Sequence, residues 1–436
     1  MKYDSYINKF SCIFYHSKAQ NAFVIILFTF LIVIRAWGGI DVVRGDDARM
    51  LTSALLKPQT SVLAPYAGYL QVAPRAIICA ISHLPLLYFP FFVFIVTTTI
   101  WVCNILLFTR ACSIFASSRA LGVILGLSIT VMPPTGIEIL AYLDHIQVPM
   151  LLGILSTILS RKYFNSITAN ILFLFYVIIF GLSSPSSIVL IATFAIIRFI
   201  HYKDTTRFAW LEKIIFIISV ICFIIQLLVT LNQNDRTASF SLKNLIDGFR
   251  FGIYSIAPQP IRDHFFAGFK KVDAIWFAIV CSILVYNIFS ILVYFLRNYN
   301  IKPYMGSFII GLGIFVFFIS ISNNPHNGYL VIPTALIFLG TAMSIAKTNN
   351  LYRTKLAFFA LGYVFFSSIQ SFIPDKKSDV FFGGQGYIYA NLIPWSSALA
   401  DAKLSLAGNQ KNETILVNTD VNEPYWPVIV PRNRLE

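Results

Sequence analysis

The stretch "FVIILFTFLIVIRAWGGIDVVRGDDARML", residues 23–51, decides how the rest of the chain is read. Its first part is an apolar run interrupted only by Thr29 and closed by Arg35. Its second part sets Asp41, Arg44, Asp46, Asp47 and Arg49 close together. A helix needs about 20 apolar residues to cross the hydrocarbon core of a bilayer. The run therefore predicts a membrane span, followed at once by a polar exit rich in both signs of charge. No small-residue cleavage site follows it, so it reads as a retained anchor rather than a signal peptide.

Runs of this kind recur along the chain. Of its 436 residues 57% are hydrophobic and only 12% are charged, where soluble domains carry about 25% charge. So little polar surface could not cover the core of a soluble protein of this length. Spans are expected at about 20–37, 86–108, 119–133, 146–160, 167–183, 186–201, 213–231, 274–296, 305–322, 329–346 and 355–373, about eleven in all. The two around 119–160 are short. The fold class is an all-α polytopic integral membrane protein, with a multi-helix membrane domain over 1–373 and a C-terminal extracytoplasmic segment over 374–436.

The net charge of +14 is topological rather than a nucleic-acid footprint. With the N-terminus inside, inner segments hold Lys2, Lys9, Lys18, Arg110, Arg119, Arg161, Lys162, Arg198, Lys203, Arg207, Lys213, Arg297, Lys302, Lys347, Arg353 and Lys355. The short outer turns at about 134–145, 184–185 and 323–328 hold neither Lys nor Arg. This is the positive-inside distribution. No basic stripe on a folded domain is visible, so no nucleic-acid partner is expected; membrane lipids are the surroundings. The six cysteines (Cys12, Cys79, Cys103, Cys112, Cys222 and Cys281) include no CxxC pair and imply neither a disulfide framework nor a metal site.

Three segments are too long to be turns: about 38–85, 232–273 and 374–436. All fall on the outer side, whereas the inner loops are short. There is no P-loop and no GxGxxG, and "GLGIFVFF" at 311–318 suits helix packing. Chemistry is therefore expected outside, on a substrate that is not a nucleotide, with no cofactor. A lipid-linked substrate fits best.

In the first outer segment "GDDARMLTSALL" predicts a short helix with Asp46 or Asp47 at its N-cap. A turn-rich connection follows with Tyr66 and Tyr69, and then a second short helix with Pro74 in its first turn. Both helices are expected along the membrane surface. One of the two carboxylates can serve as a general base towards an attacking hydroxyl, or one can orient the other and raise its pKa. Adjacent helical residues point about 100° apart, which argues against a matched pair and against a retaining glycosidase. Capping and solvation are the structural alternative. Arg44, Arg49 and Arg75 can bind a phosphate or diphosphate leaving group bidentately, or anchor headgroups. Arg35 is expected to snorkel to the interface.

"PPTGIEILAYLDHIQVP" at 133–149 adds Glu138, Asp144 and His145 in an outer turn, expected to face a cavity because lipid-facing charge is costly. His145 has no partner at ligand spacing, so no metal is expected. The segment 232–273, with "LKNLIDGFRFGIYSI", reads as interface packing, and His326 and Tyr329 as a turn with an aromatic belt. The tail, with "GGQGYIYANLIPW" and "NEPYWPVIVP", suits either a sugar-binding or site-covering subdomain or simple packing on the membrane face.

The acidic pair in the first outer loop, "GDDARM", followed by surface helices, resembles the polytopic GT-C glycosyltransferases that use polyprenyl-phosphate sugars. More narrowly, the chain looks like the phage-type serotype-converting O-antigen glucosyltransferases, which are similar in length, helix count and large first and last outer segments. "PYAGYLQVAPR" at 65–75 also resembles a segment of bacterial membrane glycosyltransferase-like proteins. The resemblance covers the whole chain as architecture and about 44–75 as motif. It implies inverting transfer of glucose from undecaprenyl-phosphate glucose to a hydroxyl of lipid-linked O-antigen, with Asp46 or Asp47 as base and Arg44, Arg49, Tyr66, Tyr69, Arg75, Glu138, Asp144 and His145 around the substrate. It also implies a bacterial inner-membrane location with a cytoplasmic N-terminus and a periplasmic C-terminus. A polyprenyl-phosphate glucosyltransferase and a flippase would supply the donor. Two other readings compete. An O-antigen polymerase would concentrate arginines in later loops, an option that Arg250 and Arg262 keep open. A flippase or transporter would carry charges within spans and internal repeats, neither of which is clear here.

Overall fold

In the computed structural model of the chain, the structure describes residues 18–43, 45–66, 68–132, 135, 137–160, 166–200, 209–232, 305–323, 330–345, 357, 360–364, 393–408, 413–418 and 427–435. The expected span at 274–296, nearly all of the segment 232–273, most of 355–373, and Arg250, Arg262, His326 and Tyr329 lie outside the described residues.

The described chain is helical apart from one small hairpin. Helix α1 (Lys18–Ala36) leads by a 3₁₀ turn (Trp37–Gly39) to α2 (Gly45–Leu56), a one-turn α3 (Pro58–Ser61) and α4 (Val72–Ser82). The bundle continues with α5 (Phe89–Ala116), α6 (Arg119–Val131), the short α7 (Ile137–Ala141), α8 (Gln147–Ser160), α9 (Ile167–Gly181), α10 (Ser187–Ile200), α11 (Ala209–Leu231), α12 (Met305–Asn323) and α13 (Val331–Ile345). Helix α14 (Trp395–Gly408) precedes an antiparallel pair, β1 (Thr414–Val417) and β2 (Val428–Pro431), with Thr414 opposite Pro431 and Val417 opposite Val428.

Among the described residues, four helices are long and apolar enough to cross a membrane: Gln20–Gly39, Leu86–Ala116, Leu143–Ser160 and Trp210–Leu231. In α1, Phe28, Ile32 and Ala36 are buried at four-residue spacing, the stripe a helix turns towards its neighbours. Phe23 and Ile26, on other faces, are each 65% exposed, a burial pattern suited to lipid rather than water. Helix α5, 28 residues and about 42 Å long, exceeds the hydrocarbon thickness. By contrast α6, α9 and α10 have 13, 15 and 14 residues, or about 20–22 Å.

The fold turns sharply where α5 ends. Ser117 is left-handed (φ 50°), and Ser118 caps α6 by accepting the Leu121 N–H at 3.3 Å. The helices then lie close together. A Cβ on Gly126 would stand 2.2 Å from Thr109 Oγ1 and 2.8 Å from Phe28 Cζ, so only glycine lets α6 approach both α5 and α1.

Arg35 does not snorkel. It is 1% exposed, and its guanidinium donates to the carbonyls of Thr130 and Met132, the latter at 3.4 Å, where α6 stops. The last carbonyls of a helix lack partners within it, so Arg35 is drawn inward to cap α6. At the opposite end of the same pair, Arg119 donates to Gln20 and Asn21, so α1 and α6 run parallel. The end of the bundle that holds Arg35 also gathers α2, α4, α7, the start of α8 and the ends of α9 and α11. It contains the candidate site.

Candidate functional site

Helix α2 places the two aspartates by its own geometry. It buries Asp47, Ala48, Met50, Leu51 and Ala54 and leaves Arg49 exposed, so one face packs inward and the other lies open. Both aspartates stand in the first turn of a helix that begins at Gly45, not at its N-cap as the sequence suggested. Carboxylates are favoured there by the helix dipole as well as by capping. The rotation between consecutive residues sends the two side chains in different directions.

Asp47 turns inward. It is 1% exposed, its Oδ2 accepts the Leu143 N–H at 2.9 Å and its Oδ1 accepts the Asp144 N–H at 3.0 Å. Burial pushes its carboxyl up to about 7, with the Asp46 charge adding to the rise and the two N–H bonds opposing it.

Asp46 turns the other way and is only half-buried. Tyr66 donates its hydroxyl to Asp46 Oδ1 at 2.5 Å and receives a bond from Arg49 Nη1 at 3.2 Å. Asp46 and Arg49 are three residues apart, hence neighbours on one helical face. Tyr66 reaches them because the chain reverses tightly after it. Tyr66 and Tyr69 exchange backbone hydrogen bonds at 2.9 and 3.2 Å, and Gly68 takes φ 88° between them. Burial, and then the hydrogen bond and charge of Asp46, raise the Tyr66 hydroxyl above its usual range; Arg49 opposes this. Tyr66 is thereby kept protonated as the donor to Asp46.

Arg75 lies over the ring of Tyr66. It is buried, with its guanidinium 5.6 Å from the Tyr66 ring centroid, and Nη1 donates to the Ser61 carbonyl at 2.5 Å and to Ser53 Oγ at 3.5 Å. Its Nε has no hydrogen-bond partner among the described residues. Burial lowers its pKa, with Tyr66 acting in the opposite sense. A guanidinium this committed holds α3 and Tyr66 in place, whereas Arg49 is exposed.

Asp144 and His145 occupy the 3₁₀ turn Leu143–His145, with His145 Nε2 3.6 Å from Asp144 Oδ2. Asp47 brings that turn to α2, so these two expected site residues do join the aspartates. Glu138 lies in α7, but its side chain, like Arg44, is outside the described residues. Among the described residues no group of three His, Cys, Asp or Glu could hold a metal ion.

Sequence reasoning missed the residues that fasten this loop. Gln226, buried in α11, accepts the Leu70 N–H at 2.9 Å and donates to the carbonyls of Leu70 and Gly181, each at 3.2 Å. Ser183 accepts the Ala73 N–H at 2.7 Å. Asp41 accepts the Ser396 N–H at 3.2 Å and its hydroxyl at 2.7 Å. Thr52 accepts the Ile429 N–H at 3.0 Å, and Arg434 donates to the carbonyls of Ser82 and Leu84. The described parts of the tail are therefore packed on the segment 38–85. A lone amide inside an apolar helix was the available signal for Gln226; nothing local marked the others. No family model, no curated protein and no solved structure matches the chain.

Proposed function

We propose that the chain is an inner-membrane glycosyltransferase of the GT-C kind, with about eleven spans, a cytoplasmic N-terminus and a periplasmic C-terminus. It would transfer a hexose, glucose first among candidates, from a polyprenyl-phosphate donor to a hydroxyl of lipid-linked O-antigen, with inversion. A polyprenyl-phosphate glucosyltransferase and a flippase would supply the donor. The observation that carries this reading is the half-open Asp46 carboxylate, bonded to Tyr66 and flanked by Arg49, on a short helix at one end of a membrane bundle.

In this reading Asp46 takes the proton of the acceptor hydroxyl as that oxygen attacks the anomeric carbon. The bond from that carbon to the phosphate oxygen breaks, and the polyprenyl phosphate leaves with the electron pair. Tyr66 fixes the carboxylate by one hydrogen bond, leaving its second oxygen for the acceptor. Arg49 offers charge-assisted hydrogen bonds to the departing phosphate. Asp47 is unsuited to be the base, because both its oxygens are engaged and it has almost no exposed surface.

The test is transfer from polyprenyl-phosphate glucose in membrane vesicles, together with modification of surface polysaccharide in intact cells. Asp46→Asn is expected to lower the rate by about 10²–10⁴, the usual contribution of a positioned general base. Full modification by this variant at normal protein levels would remove Asp46 from the mechanism.

A further inference from the structure

We propose that Asp47 is the positioning residue of this site: its carboxylate grips the Leu143–His145 turn and seats it on α2, giving the Asp46 site a second wall that carries Asp144 and His145. The inference rests on the acid–base reading of Asp46 given above.

The grip is bidentate. Each carboxylate oxygen accepts one of two consecutive backbone N–H groups, from Leu143 at 2.9 Å and Asp144 at 3.0 Å. Only an ionised carboxylate offers an acceptor on both oxygens; an asparagine, or a protonated aspartate, turns a donor towards one of the two N–H groups. Serine or asparagine would satisfy one N–H without burying a charge. A buried carboxylate is costly, so its presence here is explained by a contact that needs two acceptors.

The grip links segments nearly a hundred residues apart in sequence. Asp46 lies on α2 one residue before Asp47, facing Tyr66 and Arg49. Asp144 and His145 follow directly on the gripped amides, 16% and 12% exposed. The same side chain thus fixes how the turn with the acidic–imidazole pair sits relative to the helix with the base.

The grip also depends on protonation. The titratable groups on elements packed around Asp47 are Asp46 and Arg49 on α2, Asp144 and His145 on the turn, and Arg75 and Cys79 on α4, while β2 brings none. Burial and the Asp46 charge move the Asp47 carboxyl to about 7, so the grip loosens as the pH falls through neutrality.

The experiment is hydrogen exchange on the full-length protein in nanodiscs, following peptides that cover 140–146, from pH 5 to pH 8. After correction for intrinsic exchange, the wild type is expected to lose about tenfold or more of its protection there below pH 7, in line with loss of one buried hydrogen bond. Asp47→Asn should show the loosened state at every pH, and Asp47→Glu should restore part of the protection. In transfer assays, Asp47→Asn should lower kcat without the acidic limb of the wild-type profile. Leu143 and Asp144 amides that exchange without protection in the wild type at pH 8 overturn the proposal, and that measurement needs no variant to fold. If the protein proves not to be a transferase, the exchange result still decides whether the grip exists.

Discussion

The indole N–H of Trp395 donates to the carbonyl of Leu86 at 2.6 Å, across 309 residues of sequence. Trp395 is fully buried, and its own backbone N–H donates to the Asp41 carbonyl at 2.8 Å. One residue near the C-terminus thus ties together the two flanks of the segment that carries Asp46. Trp395→Ala should lower stability by about 3–5 kcal/mol, the usual cost of emptying a buried aromatic site. Trp395→Phe, which loses the N–H but keeps much of the volume, should cost about 1 kcal/mol. Thermal unfolding in detergent measures both. Equal effects would mean that the hydrogen bond, not the packing, holds the tail.

Tyr66→Phe tests how Asp46 is held. The variant keeps the ring beneath Arg75 but removes the donor to Asp46 and the acceptor for Arg49. Transfer is expected to fall about tenfold, the loss associated with one hydrogen bond to a charged group, with stability nearly unchanged because Asp46 can turn to water. Loss of stability with unaltered transfer would make Tyr66 a packing residue only.

Arg35→Met tests the end of α6. Arg35 caps the carbonyls of Thr130 and Met132 from within the bundle, and methionine fills similar length without donors. Leaving buried carbonyls unsatisfied costs about 1–3 kcal/mol. A neutral result in thermal unfolding would return Arg35 to the interfacial role that its position in the sequence suggested.

Much of the helical frame could be read from hydropathy because a membrane helix must be apolar along its length. The expected ranges 119–133, 146–160, 167–183 and 186–201 fall within two residues of α6, α8, α9 and α10. Pro74 does stand in the first turn of α4. What hydropathy could not tell was which way a polar residue at a helix end would turn. Arg35 could reach water or a neighbouring helix end, and only the position of α6 decides. The same holds for the two aspartates: their 100° separation followed from helix geometry, but the inward direction of Asp47 depends on a turn nearly a hundred residues away. The contacts of Asp41, Thr52 and Arg434 with the tail are longer in range still, and no local pattern announces them.

Asp47 gives a prediction whose sign distinguishes burial from hydrogen bonding. Its pKa is raised from the ordinary 3.8 to about 7 in the folded chain. Between these values the folded state binds the proton and the unfolded state does not, so the slope of unfolding free energy against pH is negative. The stability this group contributes is complete below the unfolded value and is lost as the pH rises through about 7. A shift of this size corresponds to on the order of 4 kcal/mol. Asp47→Asn cannot titrate, so relative to the wild type it should gain stability steadily from pH 4 to pH 7 and level off above that. Denaturation of both proteins in detergent across this range provides the test. A difference that moves the other way would mean the Leu143 and Asp144 N–H bonds outweigh burial and keep the carboxylate ionised. With the expected sign, the state that holds the turn with both oxygens is the less stable one, so stability and the proposed site geometry have opposite pH dependences at a single side chain.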